Sequence, residues 1–277
     1  MNSFDAVLEQ YKKNSQSGNK NNQKVSQDER LKKYFTLLLP KGSKSGEKRI
    51  RILPTKDGSS PFVEVNFHEI EVDGKKVKIY DPAQEGKRSP LNEVRDGLLL
   101  QGDEQAKELA KQYRSKKFYI VKVIDRDNEQ EGVKFWRFKH SLKQDGILDK
   151  IIPLFQKKGD ITDSQNGRDL TLFLTVAKTN MGGEYTTVST IMPEDVSSLH
   201  DDAEIANKWL NDELTWSDVY SKKSEDYLEM VAKGETPRWD SVTNKWVSNS
   251  YSEETIVATP EVKDYQDSQE PDDDIPF

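Results

Sequence analysis

The side chains best suited to chemistry in this sequence are cations and rings that share extended segments. Lys134-Phe135-Trp136-Arg137-Phe138-Lys139 interleaves the two. A single nucleic-acid strand is held by such a mixture: cations follow its phosphates, and aromatic faces stack its bases at roughly 1–3 kcal/mol per base. In a strand, alternation puts Lys134, Trp136, Phe138 and His140 on one face and Val133, Phe135, Arg137 and Lys139 on the other. Both faces therefore mix rings with charge. The same pattern also suits a buried strand, with one aromatic set in a barrel core and the other packed under a following helix. Three more stretches repeat the theme: Lys48-Arg49-Ile50-Arg51, Lys75-Lys76-Val77-Lys78-Ile79-Tyr80 and Arg114-Ser115-Lys116-Lys117-Phe118-Tyr119. Four such segments point to a cationic binding surface, with the acids placed elsewhere.

Catalytic chemistry finds little support. The sequence has no cysteine, which excludes disulfides, thiolate metal sites and cysteine nucleophiles. Its histidines are His68, His140 and His200, without H-E-x-x-H or H-x-E spacing. There is no G-x-x-x-x-G-K-[ST] loop and no G-x-S-x-G elbow. Asp272 to Asp274 form a dense acidic cluster, but they stand in a Pro-flanked end without the rigid surroundings that a catalytic metal needs. The expectation is a protein that is not an enzyme and holds no metal or cofactor.

Charge is ordered along the chain. The 277 residues carry a net charge of -7, which taken alone argues against a polyanionic ligand. By segment, Lys and Arg outnumber Asp and Glu by 13 to 5 in residues 1–56 and balance them at 22 to 22 in residues 57–192. They then fall behind, 6 to 13 in residues 193–247 and 1 to 9 in residues 248–277. Oppositely charged ends around a neutral body are a pattern of interaction arms. The last residues, Asp272-Asp273-Asp274-Ile275-Pro276-Phe277, follow acids with an apolar tip. Such an end suits a pocket with a basic rim better than it suits a purely solubilising tail.

These residues need elements to position them. Residues 1–31 read as a basic, flexible arm: Phe4, Val7, Leu8 and Tyr11 have helical spacing, either as a short amphipathic helix or as a frayed terminus, ahead of an Asn/Gln/Ser-rich linker. Residues 32–195 read as the binding core. Strands are expected at 34–39, 49–53, 62–72, 75–80, 117–125, 133–140, 169–178 and 185–192, with Asp73-Gly74 as a hairpin turn. Helices are expected at 104–113 and 142–155. Residues 196–247 read as a helical part of the core, with helices at 201–214 and 217–233, and residues 248–277 as a disordered acidic tail. The fold class is α+β and β-rich: an OB-fold, that is a five-stranded Greek-key barrel, with extra hairpins and peripheral helices. A β-sandwich with peripheral helices fits the periodicity almost as well. No run of 18 apolar residues and no basic-then-apolar leader is present, so the expected location is cytoplasmic, without membrane contact.

The motifs resemble a known family. Arg49-Ile50-Arg51-Ile52-Leu53-Pro54-Thr55-Lys56, followed by Pro61-Phe62, looks like the opening strand of the helix-destabilising single-stranded DNA-binding proteins of T-even phages. The likeness continues through His68, Asp73-Gly74, Phe118 to Asp125 and Trp136-Arg137-Phe138 to Leu148-Asp149-Lys150-Ile151. It implies an OB-fold core that binds single-stranded DNA, a basic N-terminal arm that promotes self-association on DNA, and an acidic C-terminal region that recruits replication and recombination proteins. Trp136 falls where the family has a tyrosine in its DNA cleft, which makes it the first stacking candidate. The full set of candidate contacts is Arg49, Arg51, Lys56, Lys78, Lys117, Tyr119, Lys134, Trp136, Arg137 and Phe138.

The sequence departs from that family in two places. The family holds a structural zinc with one His and three Cys; here the His-like position is His68, and the cysteine positions fall near Asp81, Ser89 and Asn92. One His and one Asp are too few for a closed zinc site, so the hairpin and the 104–113 helix are expected to pack directly in its place. The tip Asp272 to Phe277 is instead similar to the extreme C-terminus of bacterial single-stranded DNA-binding proteins, which suggests a phage protein whose tail addresses host-type docking pockets. The function expected is sequence-independent binding of single-stranded DNA in phage replication, recombination and repair. The alternative is a recombination mediator or adaptor whose main ligand is a protein.

Overall fold

The computed structural model describes residues 32–178, 183–220 and 222–248. The expected arm, and the expected tail beyond Ser248, lie outside the described residues. Among the described residues, nine strands and six α-helices form an α+β, β-rich, OB-like fold. Its main sheet has seven strands: β1 (Ser45–Ile52), β2 (Val63–Val72), β3 (Lys75–Tyr80), β4 (Ser115–Asp125), β5 (Val133–Lys139), β6 (Gly167–Lys178) and β7 (Glu184–Ser197). The helices are α1 (Pro90–Gln101), α2 (Glu104–Gln112), α3 (Ile147–Lys158), α4 (Ala203–Leu210), α5 (Trp216–Val219) and α6 (Glu225–Ala232). A small hairpin of β8 (Pro237–Asp240) and β9 (Lys245–Ser248) follows.

The long strand β4 organises the sheet. Along one edge, its first half pairs with β2 (His68 opposite Ser115, Val63 opposite Ile120) and its end pairs with β1 (Ile50 opposite Asp125). Along the other edge it pairs with β5. Strand β1 also pairs with β6, and β6 with β7. The order β1-β4-β5-α3-β6-β7 is that of an OB-fold, with the β2-β3 hairpin as an insertion. Among the described residues β5 and β7 share no ladder, so the barrel stands open between them. Instead, the Phe35 N–H donates to the Phe135 carbonyl at 2.9 Å and the Phe135 N–H donates to the Lys33 carbonyl at 2.8 Å, near the start of β5. The expected strand at 34–39 is thus only a parallel bridge at Tyr34.

Both faces of β5 are buried, because two cores meet on it. Trp136 and Phe138 point into the barrel core with Ile50, Ile52, Val121 and Leu172. Phe135 joins a second core with Tyr34, Val65, Phe67, Phe118 and Tyr220. The C-terminal helices complete this arrangement: Val219 and Tyr220 cover the second core, and Leu199 and Trp209 pack on Leu53 and Ile124.

Several local expectations are met. Asp73 and Gly74 adopt left-handed φ values of 53° and 72°, the two-residue turn that joins β2 to β3. Strand β3 spans the expected residues, and α2 ends one residue short of expectation. Other elements differ. Helix α1 was not anticipated, since Gly97 and the unbroken Leu98-Leu99-Leu100 hide its period. Helix α3 begins five residues later than its apolar pattern, because Gly146 is its N-cap and donates its N–H to Asp149 at 3.0 Å. The last expected helix is split into α5 and α6, and the nominally helical region closes on a hairpin held by Trp239, Trp246 and Tyr227.

Candidate nucleic-acid interface

Period-two alternation sets up one face of the sheet. Val65, Phe67 and Glu69 of β2 face the same way; Tyr80 and Lys78 stand opposite Phe67 and Glu69 on β3. On β4, Phe118 and Lys116 stand opposite Val65 and Phe67, and Lys139 of β5 stands opposite Phe118. This face therefore changes character along its length. One end is the aromatic core beneath α5. The other is a polar band of Glu69, Lys78, Lys116 and Lys139.

At the free edge of β5 the band opens into a cleft of about 320 Å³, between residues 35–38 and the start of β7. Trp136, Arg137 and Phe138 form its floor, Lys78, Lys139 and Glu69 its rim, and Leu38 and Tyr185 its exposed walls (67% and 43%). A second cleft of about 480 Å³ shares Lys139. It is lined by Arg114, Lys116, Lys117, His140 and Leu142, with Asp81 as its only acid. Leu142 is 76% exposed there. The combined surface offers ammonium groups, a guanidinium, two exposed leucines and a tyrosine. It has no paired acid and base around a nucleophile, and no group of three or more His, Cys, Asp or Glu poised for a metal is found among the described residues.

Electrostatics converge on Glu69. Lys116 and Lys139 both donate to its Oε2, at 2.6 and 2.7 Å. Burial alone would raise the pKa of this carboxyl, but the two lysines outweigh it and hold the value at about 2. Lys117 donates to Glu64 at 2.7 Å. Below the second cleft, Asp81 accepts from Asn92 at 3.1 Å on both oxygens and lies 3.5 Å from His68 Nε2, while His68 Nδ1 lies 2.8 Å from the Tyr113 carbonyl. Ser89 is buried near them on the N-terminal cap of α1. Asn92 thus ties α1 to Asp81 at the end of the β2-β3 hairpin and His68 ties β2 to the end of α2, whereas His68 Nε2 and Ser89 Oγ make no hydrogen bond among the described residues.

The sequence-derived candidates separate into two groups. Lys78, Lys117, Trp136, Arg137 and Phe138 line the two clefts, and Tyr119 stands behind them, with its hydroxyl 3.3 Å from His140. Trp136 is only 1% exposed, so it shapes the floor of the cleft without presenting a ring face for a base. Phe138 and Tyr119 are similarly enclosed. Arg137 is buried against Phe67, its guanidinium 5.2 Å from that ring.

Four candidates lie apart from this surface. Arg51 is wholly buried; it donates to Asp169 and Ser197 Oγ at 3.2 Å and to the Asp163 and Ser197 carbonyls at 2.9 Å. Burial lowers its pKa and Asp169 opposes the shift. Its guanidinium cannot meet a phosphate from that position. Arg49 is half exposed and lies 3.9 Å from the same Asp169. Lys134 is buried in an ion pair with Glu131. Lys56 is exposed but lines another cavity, of about 640 Å³, beside Asp212 and Glu213.

A family model described as gp32 DNA binding protein like matches residues 44–235. The chain belongs to that family. The match runs from the start of β1 to just past α6 and so reaches well beyond the 32–155 region where the sequence motifs are clearest. The gp32-like family is one of DNA-binding, non-catalytic proteins, and single-stranded DNA is the ligand it implies. No curated protein matches the chain. Lys116, Lys139, His140, Leu142, Leu38 and Tyr185 of this candidate surface were missing from the sequence-derived set. Lys116 and Lys139 stood in stretches already singled out, but only the partner strands reveal which lysines share a face; Leu38 and Tyr185 carry no local signal at all.

Proposed function

We propose that the protein binds single-stranded DNA without sequence preference, protecting and straightening strands during phage DNA replication, recombination and repair. One observation carries the reading: in a gp32-like chain, the open edge of the barrel bears two clefts that meet at Lys139, rimmed by cations and walled by exposed Leu38, Tyr185 and Leu142. Phosphates run along Lys78, Lys139, Lys117 and Arg114. Bases rest on Tyr185 and His140 and on the leucines. Ammonium groups and flat faces do not distinguish base edges, so binding is sequence-tolerant. Trp136 and Phe138 hold the floor of the cleft.

The remaining parts take roles of their own. Residues 1–31 support self-association on DNA, and Asp272 to Phe277 recruit replication and recombination proteins by seating Phe277 in an apolar pocket with a basic rim. The site of action is the host cytoplasm, and among the described residues no helix is long and apolar enough to cross a membrane. A fluorescence titration with oligo-dT and with duplex at two salt concentrations tests the central claim. The expected result is tight binding to the single strand, weak binding to duplex, and a logarithmic loss with salt of about 0.7 per neutralised phosphate. Equal affinity for duplex, or no salt dependence, overturns it.

A further inference from the structure

We propose that Glu69 is a built-in phosphate surrogate, an internal anion that gathers Lys116 and Lys139 at the junction of the two clefts and limits how tightly that junction holds DNA. The inference rests on the single-strand reading above.

The geometry carries it. In the polar band of the sheet face, Glu69 is one acid among Lys78, Lys116 and Lys139. Two ammonium groups from different strands donate to the same oxygen of Glu69, the arrangement a bridging phosphate oxygen would take up. One lysine suffices to neutralise one carboxylate; the second makes the cluster net positive. Solvent reaches all three side chains, which are 23%, 32% and 48% exposed for Glu69, Lys116 and Lys139. An ammonium has three donors, so each lysine that gives one to Glu69 keeps two for an arriving phosphate.

Two effects of Glu69 oppose one another. It holds two like charges together against their mutual repulsion, which favours binding by pre-organisation. It also subtracts one charge from the surface that a polyanion must approach. The ordering of exposed lysines contributes little, since such pairs are weak. Several phosphates of a bound strand lie within one screening length of about 8–10 Å, and each is repelled by the carboxylate. The charge effect therefore prevails, and removing it tightens binding.

The test compares Glu69→Gln with the full-length wild-type chain, using oligo-dT titrations over a range of salt together with a melting curve. The expected outcome is affinity about fivefold higher at low salt, a steeper salt dependence and convergence of the two proteins at high salt. Lys139→Gln is then expected to cost more affinity in the Glu69→Gln background than in the wild type. Unchanged or weaker binding by a folded Glu69→Gln chain overturns the inference and leaves the single-strand reading intact. A wild-type chain that ignores oligo-dT overturns both. If Glu69→Gln melts below the assay temperature, Glu69→Ala takes its place in titrations run below its own melting point: it too removes the carboxylate's charge, and affinity must again exceed that of the wild type or the inference fails.

Discussion

A tryptophan set between cations on a strand can stack a base or fill a core, and its neighbours in sequence do not say which. Trp136 fills the core. It meets Phe138 at 4.8 Å and Phe35 at 5.8 Å, centroid to centroid, and has no free face. Trp136→Ala should therefore cost about 3–5 kcal/mol of stability, as removal of a large buried ring does. Denaturant unfolding measures this. A variant of unchanged stability that had lost only DNA affinity would return the ring to the interface. The same logic separates the cations. Arg51 and Lys134 are consumed by internal partners, whereas Lys139 stands at the meeting point of two clefts, half exposed. The lysines were legible as a class from their spacing; their individual fates were not, because each depends on which acid a distant strand brings opposite.

At the scale of elements, the fold is held where β1, β4, β6 and β7 converge. Asp169 of β6 accepts from Arg126 at 2.9 and 3.0 Å and from Arg51 at 3.2 Å, and Arg126 also donates to the Leu199 carbonyl. Gly167 makes room for this: a Cβ there would lie 2.6 Å from an Arg51 nitrogen and closer still to the Asp163 carbonyl. Asp169→Asn leaves two buried guanidinium groups without their shared counter-charge. A loss of about 3–5 kcal/mol is expected, the magnitude for a buried ion pair stripped of one partner. Thermal unfolding of the variant checks this; a shift no larger than that of a surface substitution would show the network to be dispensable. Strands were legible from alternation and from the Asp73-Gly74 turn. Helix α1 was not, since Gly97 and three consecutive leucines obscure its face, and the β8-β9 hairpin was not, since its strands of four residues are too short to show alternation.

For the molecule as a whole, charge is the governing quantity. Residues 1–56 carry an excess of eight positive charges, and residues 193–277 an excess of fifteen negative ones. We propose that the acidic end competes with a polyanion for the cationic surface. Removing residues 249–277 from the chain should leave the melting temperature of the remainder within a few degrees and keep or raise its affinity for single strands at low salt. An oligo-dT titration with the shortened chain decides between this and the adaptor reading, in which the main activity would vanish with the tail. The sequence by itself determined the β-rich class, the absence of cysteine chemistry, the charge order from basic to acidic end and, through a series of ordered motifs, the gp32-like family. These are properties of local pattern and composition, which survive without a third dimension. Only the tertiary structure decided that the barrel is open beside β5, that Trp136 and Arg51 are enclosed, and that Lys116 and Lys139 share Glu69. Those facts are made by contacts between residues far apart in the chain, such as Glu69 with Lys116 and Lys139, 47 and 70 positions away, and Arg51 with Ser197, 146 positions away, and backbone alternation specifies a side chain's face without specifying what another strand will place against it.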